Sequence, residues 1–181
     1  MGTILPMRFY ERPTRAVARD LLGKALVRRT NGETVRSLIT EVEAYDGPSD
    51  LASHASRGVT RRTEVMFGPA GRWYVYFIYG MHEMLNIVTG TTGYPAAVLI
   101  RGTVDVSGPG RLTRHFKVSR AQNARPASRP SGLWIEDAGI RVPRTQIRTT
   151  PRIGVDYAGP VWSKKHYRYV WKRSDPRILR G

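Results

Sequence analysis

The stretch that most constrains the fold is RWYVYFIYGMHEMLN, residues 72–86. It is apolar and aromatic enough for a buried strand. Yet it carries three tyrosines, Tyr74, Tyr76 and Tyr79, where phenylalanine would pack as well without a hydroxyl to satisfy. Tyr74 and Tyr76 are two apart and share a strand face. Tyr79 is three further on and points elsewhere, and Gly80 behind it lets the backbone turn. Tyr74 therefore reads as a core residue, while Tyr76 and Tyr79 call for a further reason.

The remaining segments divide at turn signals. Residues 10–22 predict a helix that stops at Gly23. KALVRRTNGETVRSLITEVEAY predicts two strands joined by a hairpin at Asn31–Gly32, the second over about 35–45. AAVLIR is a short buried strand and HYRYVWK alternates like one. From about 108 to 150 no period stands out, which predicts a short helix (about 109–116) and long surface loops. No linker or repeat divides the chain. Strands outnumber helices without βαβ alternation, so the expectation is one α+β domain over 1–181: a curved, largely antiparallel sheet, peripheral helices and long loops, with a basic tail over about 172–181.

Charge narrows the partner. The chain has a formal net charge of +16, and 25 of its 30 basic residues are arginine. Residues 111–152 hold ten basic residues against two acids, and 164–181 hold seven against one. A polyanion, nucleic acid above all, is the natural partner of such a surface. The longest apolar run is far short of the ~20 residues of a bilayer span, and the N-terminus lacks a signal-peptide core. With no cysteine, disulfides, thiolate metal sites and a cysteine nucleophile are ruled out, and a cytoplasmic location fits.

The candidates for chemistry begin with ITEVEAY. On a strand, Glu41, Glu43 and Tyr45 share one face. They form a solvated strand face, a general base in a tyrosine-lined site, or, with Asp46 and Asp50, part of a metal site of the nuclease kind. His54 lies in a loop, and the four histidines lack zinc-ligand spacing. Arg101 directly follows the apolar run AAVLI and must find an acid, a phosphate or water. Asn86, inside MLNIV, is either tied to neighbouring backbone or reads a polar ligand such as a base edge. No P-loop, dinucleotide fingerprint or Gly-x-Ser-x-Gly elbow is present.

Together, EVEAYDGPSDLASHASRG, MFGPAGRWYVYFIYGMHEMLNIV, AAVLIRG, SGPGRL and PRIGVDYAG resemble the successive motifs of the alkyladenine (3-methyladenine) DNA glycosylases, over about residues 8–175. The resemblance implies an enzyme that flips alkylated or deaminated purines, such as 3-methyladenine or hypoxanthine, out of double-stranded DNA and hydrolyses the N-glycosidic bond. It implies Glu43 as the general base and Arg101 as the residue helping to hold the water. Tyr45, His54, Tyr76 and Asn86 would line the base pocket, and Tyr79 would wedge into the duplex. Thr60, Arg62, Met81 and Arg111 fall at DNA-contacting positions. A monomer is implied, working in the cytoplasm of a bacterium or the nucleus of a eukaryote. The motif segments around Glu43 hold no lysine for Schiff-base chemistry, which fits a monofunctional hydrolase without cofactor or metal.

Some positions depart from the family pattern. Only GTVDV separates Arg101 from Ser107, where many relatives carry a longer acidic insert, so the cleft should be more open. Arg61, Thr63 and Arg111 replace more usual Pro, Asn and Lys. A silent basic nucleic-acid-binding module would account for the charge but not for the motif residues, and a metal-dependent nuclease would rest on Glu41, Glu43 and Asp46.

Overall fold

A computed structural model describes residues 2–172. It is the expected α+β arrangement, an open sheet of nine strands among the described residues, every pairing antiparallel. The strands are β1 (Thr3–Ile4), β2 (Ala25–Thr30), β3 (Glu33–Asp46), β4 (Trp73–Ile78), β5 (His82–Val88), β6 (Ala96–Thr103), β7 (Leu133–Asp137), β8 (Ile147–Thr150) and β9 (Arg168–Trp171). The helices are α1 (Met7–Tyr10), α2 (Thr14–Leu21), α3 (Pro109–His115) and α4 (Gly159–Trp162).

The sheet runs β1-β7-β2-β3-β6-β5-β4, with β9 joining β3 and β8 joining β9. The fourteen-residue β3 organises it. Its first half pairs with β2 across the Asn31–Gly32 turn, where both residues take the positive φ (50° and 80°) of a type I′ turn. Its second half pairs with β6 on one side and β9 on the other.

Strand parity then sorts the side chains, because directly paired residues share a face. Val42 and Ala44 of β3, Trp73 and Val75 of β4, Leu85 and Ile87 of β5, and Val98 and Ile100 of β6 belong to the main core. α2 contributes Val17, Ala18 and Leu21 to that core, and α3 contributes Leu112. Trp73 is fully buried and its indole N–H donates to the Leu133 carbonyl at 3.0 Å. The opposite parity, Glu43 and Tyr45, Tyr74 and Tyr76, Asn86, and Ala97, Leu99 and Arg101, lies on the other face of the sheet.

Several sequence expectations change. Residues 72–86 form a hairpin rather than a single strand, with Ile78 opposite His82. The helix expected over 10–22 starts only at Thr14, because a residue preceding proline disfavours the α conformation and Pro13 follows Arg12; the short α1 ahead of it, which ends at Tyr10, was not expected. The region 108–150 holds α3 as expected but also β7 and β8, which its weak periodicity did not predict. Apart from Lys172, the expected basic tail lies outside the described residues.

Candidate functional site

The polar face of the sheet is built around Glu43, whose carboxylate is fully buried in a chain dense with cations. It sits mid-strand, opposite Leu99 on β6 and Arg168 on β9, so its backbone is held from both sides. A solvated strand face is therefore the wrong description of this residue. Its Oε2 accepts from the Tyr45 hydroxyl at 2.9 Å and its Oε1 from the Ile153 backbone N–H at 2.8 Å. Arg101 Nη1 stands 3.5 Å from Oε1. The ladder slips between Ile39 and Val42, opposite Gly102. Such a bulge re-aims side chains locally, and it lies beside the point where Arg101 leaves the apolar run of β6 to face the two glutamates.

Burial pushes the Glu43 carboxyl above its usual range, against the opposing pull of Arg101, the Ile153 N–H, the Tyr45 hydroxyl and Arg152. A carboxylate held this way takes up a proton more readily than one in water, which suits a general base. Glu41 is occupied differently: Arg101 Nε and Arg168 Nε both donate to its Oε1, at 2.8 and 2.7 Å. A metal ion on Glu41 and Glu43 would have to displace these guanidinium groups. Among the described residues no group of three or more His, Asp or Glu is placed to hold one.

Beside Glu43 a cavity of about 30 Å³ is lined by Tyr45, Ala52, Ser53, His54, Met66, Tyr74, Tyr76, Asn86, Ala97 and Tyr157. Tyr45 reaches it from β3 and Tyr76 from β4, and each ring has a guanidinium over it. Arg152 Cζ is 4.8 Å from the Tyr45 ring centre, and Arg62 Cζ is 4.9 Å from that of Tyr76. His54 opens a 3₁₀ turn (His54–Arg57) capped by Ser53, whose side chain accepts from the Ala55 N–H. Its ring meets Tyr76 edge-on at 4.7 Å, and its Nδ1 lies 3.1 Å from the Tyr74 hydroxyl. Burial, then Arg62 and Arg57, push the His54 pKa down to about 4, so the imidazole is neutral at neutral pH.

Asn86 is tied to neighbouring backbone, the first of its two expected roles. Its Nδ2 donates to the Tyr74 and Met84 carbonyls, at 3.1 and 3.4 Å, which fixes the amide's orientation, and the side chain still lines the cavity. Only the amino end of the amide can donate to two carbonyls.

At the tip of the β4–β5 hairpin, Tyr79 and Gly80 take φ of 52° and 65°, and Tyr79 is 87% exposed. Few non-glycine residues adopt this conformation. It thrusts a large apolar ring into water beside the also exposed Met81. Of the other expected DNA contacts, Arg62 stands at the pocket, and Arg111, exposed on α3, is not among the cavity's lining residues. The Thr60 hydroxyl is engaged with Thr63 at 3.0 Å, which ties its own loop together. The short GTVDV segment closes as a turn, with Thr103 N–H on the Val106 carbonyl at 2.8 Å.

Sequence reasoning missed several members. Tyr74, expected to be only a core residue, is part of the pocket wall through its hydroxyl. Tyr157 lines the cavity while 64% exposed, its hydroxyl on the Ala52 carbonyl at 2.8 Å. Asp50 and Arg152 form a fully buried bidentate ion pair, and Arg152 also donates to the Ala44 carbonyl. That pair pins the segment supplying the Ile153 N–H to Glu43. The only sequence signal for it was a charge within each of two motif segments, DGPSD and PRIGVDYAG.

A larger cleft of about 540 Å³ lies between α1–α2 and residues 137–147. Two of its cations are paired within it, Arg12 with Asp20 and Lys24 with Asp137, at 2.7 and 2.8 Å. It assembles no group for chemistry.

The family model described as methylpurine-DNA glycosylase (MPG) matches residues 8–107 and 103–175. A Myxococcus xanthus protein with the provisional name 3-methyladenine DNA glycosylase is 46% identical over 186 residues, covering 98% of this chain and 94% of that protein. A protein of the same name from an Anaeromyxobacter species is 46% identical over 92% of this chain and 88% of its own. One from Methanocella arvoryzae is 46% identical over 86% of both.

Proposed function

The chain belongs to the methylpurine-DNA glycosylase family and is a DNA glycosylase, and from that premise we propose that it removes alkylated and deaminated purines, 3-methyladenine first among them, from double-stranded DNA. The observation that carries this reading is the placement of Glu43. A fully buried carboxylate with a raised pKa lies beside an arginine and is hydrogen-bonded to Tyr45, which lines an aromatic cavity.

A stacked base cannot be attacked at its sugar carbon, so the nucleotide leaves the helix at a cost of a few kcal/mol. Tyr79, preformed at the hairpin tip, fills the space left in the stack and offsets part of that cost. The extruded base enters between Tyr45 and the Tyr76–His54 side. The cavity's volume is about that of one water molecule in the liquid, so entry of a purine moves a lining side chain. Tyr157, the most exposed of them, is the one with room to swing. Purines alkylated on a ring nitrogen carry positive charge, which the faces of the tyrosine rings attract. Neutral His54 selects at the base edge, and Asn86, held rigid by its two carbonyls, bars the exocyclic amino group of guanine.

In the chemical step the bond from C1′ to the base nitrogen breaks and its electron pair leaves with the base. A cationic alkylated purine thereby departs neutral, without a general acid, whereas a neutral deaminated purine departs as an anion that takes its proton from solvent. Positive charge develops on the sugar and the Glu43 carboxylate stabilises it. Glu43 takes a proton from a water whose oxygen bonds to C1′, and Arg101 holds that water. The products are a free base and an abasic site. The protein acts as a monomer and without cofactor.

Duplex oligonucleotides bearing one 3-methyladenine, hypoxanthine, ethenoadenine or 7-methylguanine test this. Alkali-labile breaks are expected at one or more of these lesions and persist in EDTA. Absence of breaks at all four with folded protein overturns the proposal, and activity lost in chelator returns the nuclease alternative.

A further inference from the structure

The hydrolytic reading uses Glu43 and Arg101 and leaves Glu41 unexplained, although it is almost as buried. The side chains of Glu41, Arg101 and Arg168 are 13%, 11% and 23% exposed, against none for Glu43. Both guanidinium groups converge through Nε on the same oxygen of Glu41, at 2.8 and 2.7 Å. Arg168 is itself fixed, its Nη1 donating to the Thr150 hydroxyl at 3.1 Å and its backbone registered opposite Glu43. Two carboxylates and two guanidinium groups thus form a neutral cluster across β9, β3 and β6. Within it Arg101 is asymmetric: it makes a close contact with Glu41 and only a 3.5 Å approach by Nη1 to Glu43.

Resting on the Glu43 assignment above, we propose that Glu41, held between Arg101 and Arg168, is a positioning residue that keeps Arg101 from closing on Glu43. An arginine facing one lone carboxylate forms the bidentate fork–fork pair. Added to the Tyr45 and Ile153 donors already on its two oxygens, such a pair would fill the lone-pair sites of Glu43 and leave none to accept the proton of water. Glu41 holds the guanidinium by its Nε edge, and so leaves lone pairs of Glu43 unclaimed, with Arg101 placed to hold an attacking water beside them.

The same arrangement sets the charge that Glu43 experiences. Tyr45 on β3, Tyr76 on β4, Arg101 on β6, Arg168 on β9 and Arg152 ahead of the Ile153 N–H all face or adjoin it, together with Glu41. Removing the negative charge of Glu41 leaves two cations less compensated, which favours ionised Glu43. Removing Arg168 leaves Glu41 less compensated, which favours protonated Glu43. The rate requires ionised Glu43, so the two changes move the acid limb of the pH–rate profile in opposite directions.

The test is the single-turnover rate on the best-cleaved lesion duplex between about pH 5 and pH 9, for wild type, Glu41→Gln, Arg168→Gln and Glu43→Gln. Glu41→Gln should lower the plateau by about tenfold or more, within the range of general-base effects, and shift the acid limb to lower pH. Arg168→Gln should shift it to higher pH. Salt bridges that served folding alone would leave both limbs at the wild-type position. Limbs that do not move, or that move the same way, overturn the inference. Should Glu41→Gln not fold by its melting curve, the direction of the Arg168→Gln limb decides alone. Glu43→Gln separates the two readings: if it retains turnover, the assignment of the base has failed and not merely the role of Glu41.

Discussion

Glu43 is held in a site that disfavours its charge, and this has a thermodynamic signature separable from catalysis. Its folded pKa is raised, above all by burial. The native state therefore binds more protons than the unfolded chain between the two values, and stability is lost as pH rises through the folded value. Glu43→Gln removes that loss. It should abolish base release, retain lesion-duplex binding, and melt at higher temperature than wild type, by a margin larger at pH 8 than at pH 5. His54 carries the opposite slope. Its pKa falls from 6.5 to about 4 on folding, so the unfolded chain binds the extra proton and stability drops as pH falls across that window. His54→Gln should flatten the melting temperature between these limits. Further along the pocket, Tyr76→Ala should impair capture of the extruded base and Tyr79→Ser should weaken lesion binding, both read by titration with a lesion duplex. Wild-type behaviour of both would leave residues 72–86 with a structural role only.

At the scale of elements, the site depends on two devices outside the strands. The first is the hairpin tip. Gly80 sits at φ 65°, where a β-branched residue is strained, and Gly80→Val should cost about 1–2 kcal/mol in denaturant unfolding while displacing Tyr79. The second is the Asp50–Arg152 pair. Asp50→Ala leaves Arg152 buried without its partner, at a cost of about 3–5 kcal/mol, and releases the segment that holds Glu43 through Ile153. What the sequence disclosed and withheld follows from these elements. Asn31–Gly32 was legible because its turn demands positive φ at two successive residues, and Glu43 with Tyr45 because period-2 alternation is local. The strand LWIED was not, being five residues bounded by SG and AG without an alternating pattern. Tyr74 looked like core because parity shows which residues share a face but not that His54 would pack beside them. Nor could local pattern show that Asp50 and Arg152, 102 residues apart, would meet.

For the molecule as a whole, a net charge of +16 makes association with DNA depend on salt. If as few as four phosphates are neutralised, affinity for undamaged duplex should fall about a hundredfold between 50 and 200 mM salt through counterion release. Fluorescence anisotropy measures this, and a flat response would contradict the electrostatic account. The two-faced sheet has a different consequence, in the kinds of heritable change the protein can survive. A substitution alters one side chain, but deletion of one residue in β3 ahead of Glu43 would bring Val42 or Ala44 to the polar side and turn the carboxylates into the core. β3 has little tolerance for single-codon deletions, while exposed loops outside the strands can lose one. Lineages of this protein should accordingly change length in the loops and keep the residue count of β3 fixed, even where its residues differ.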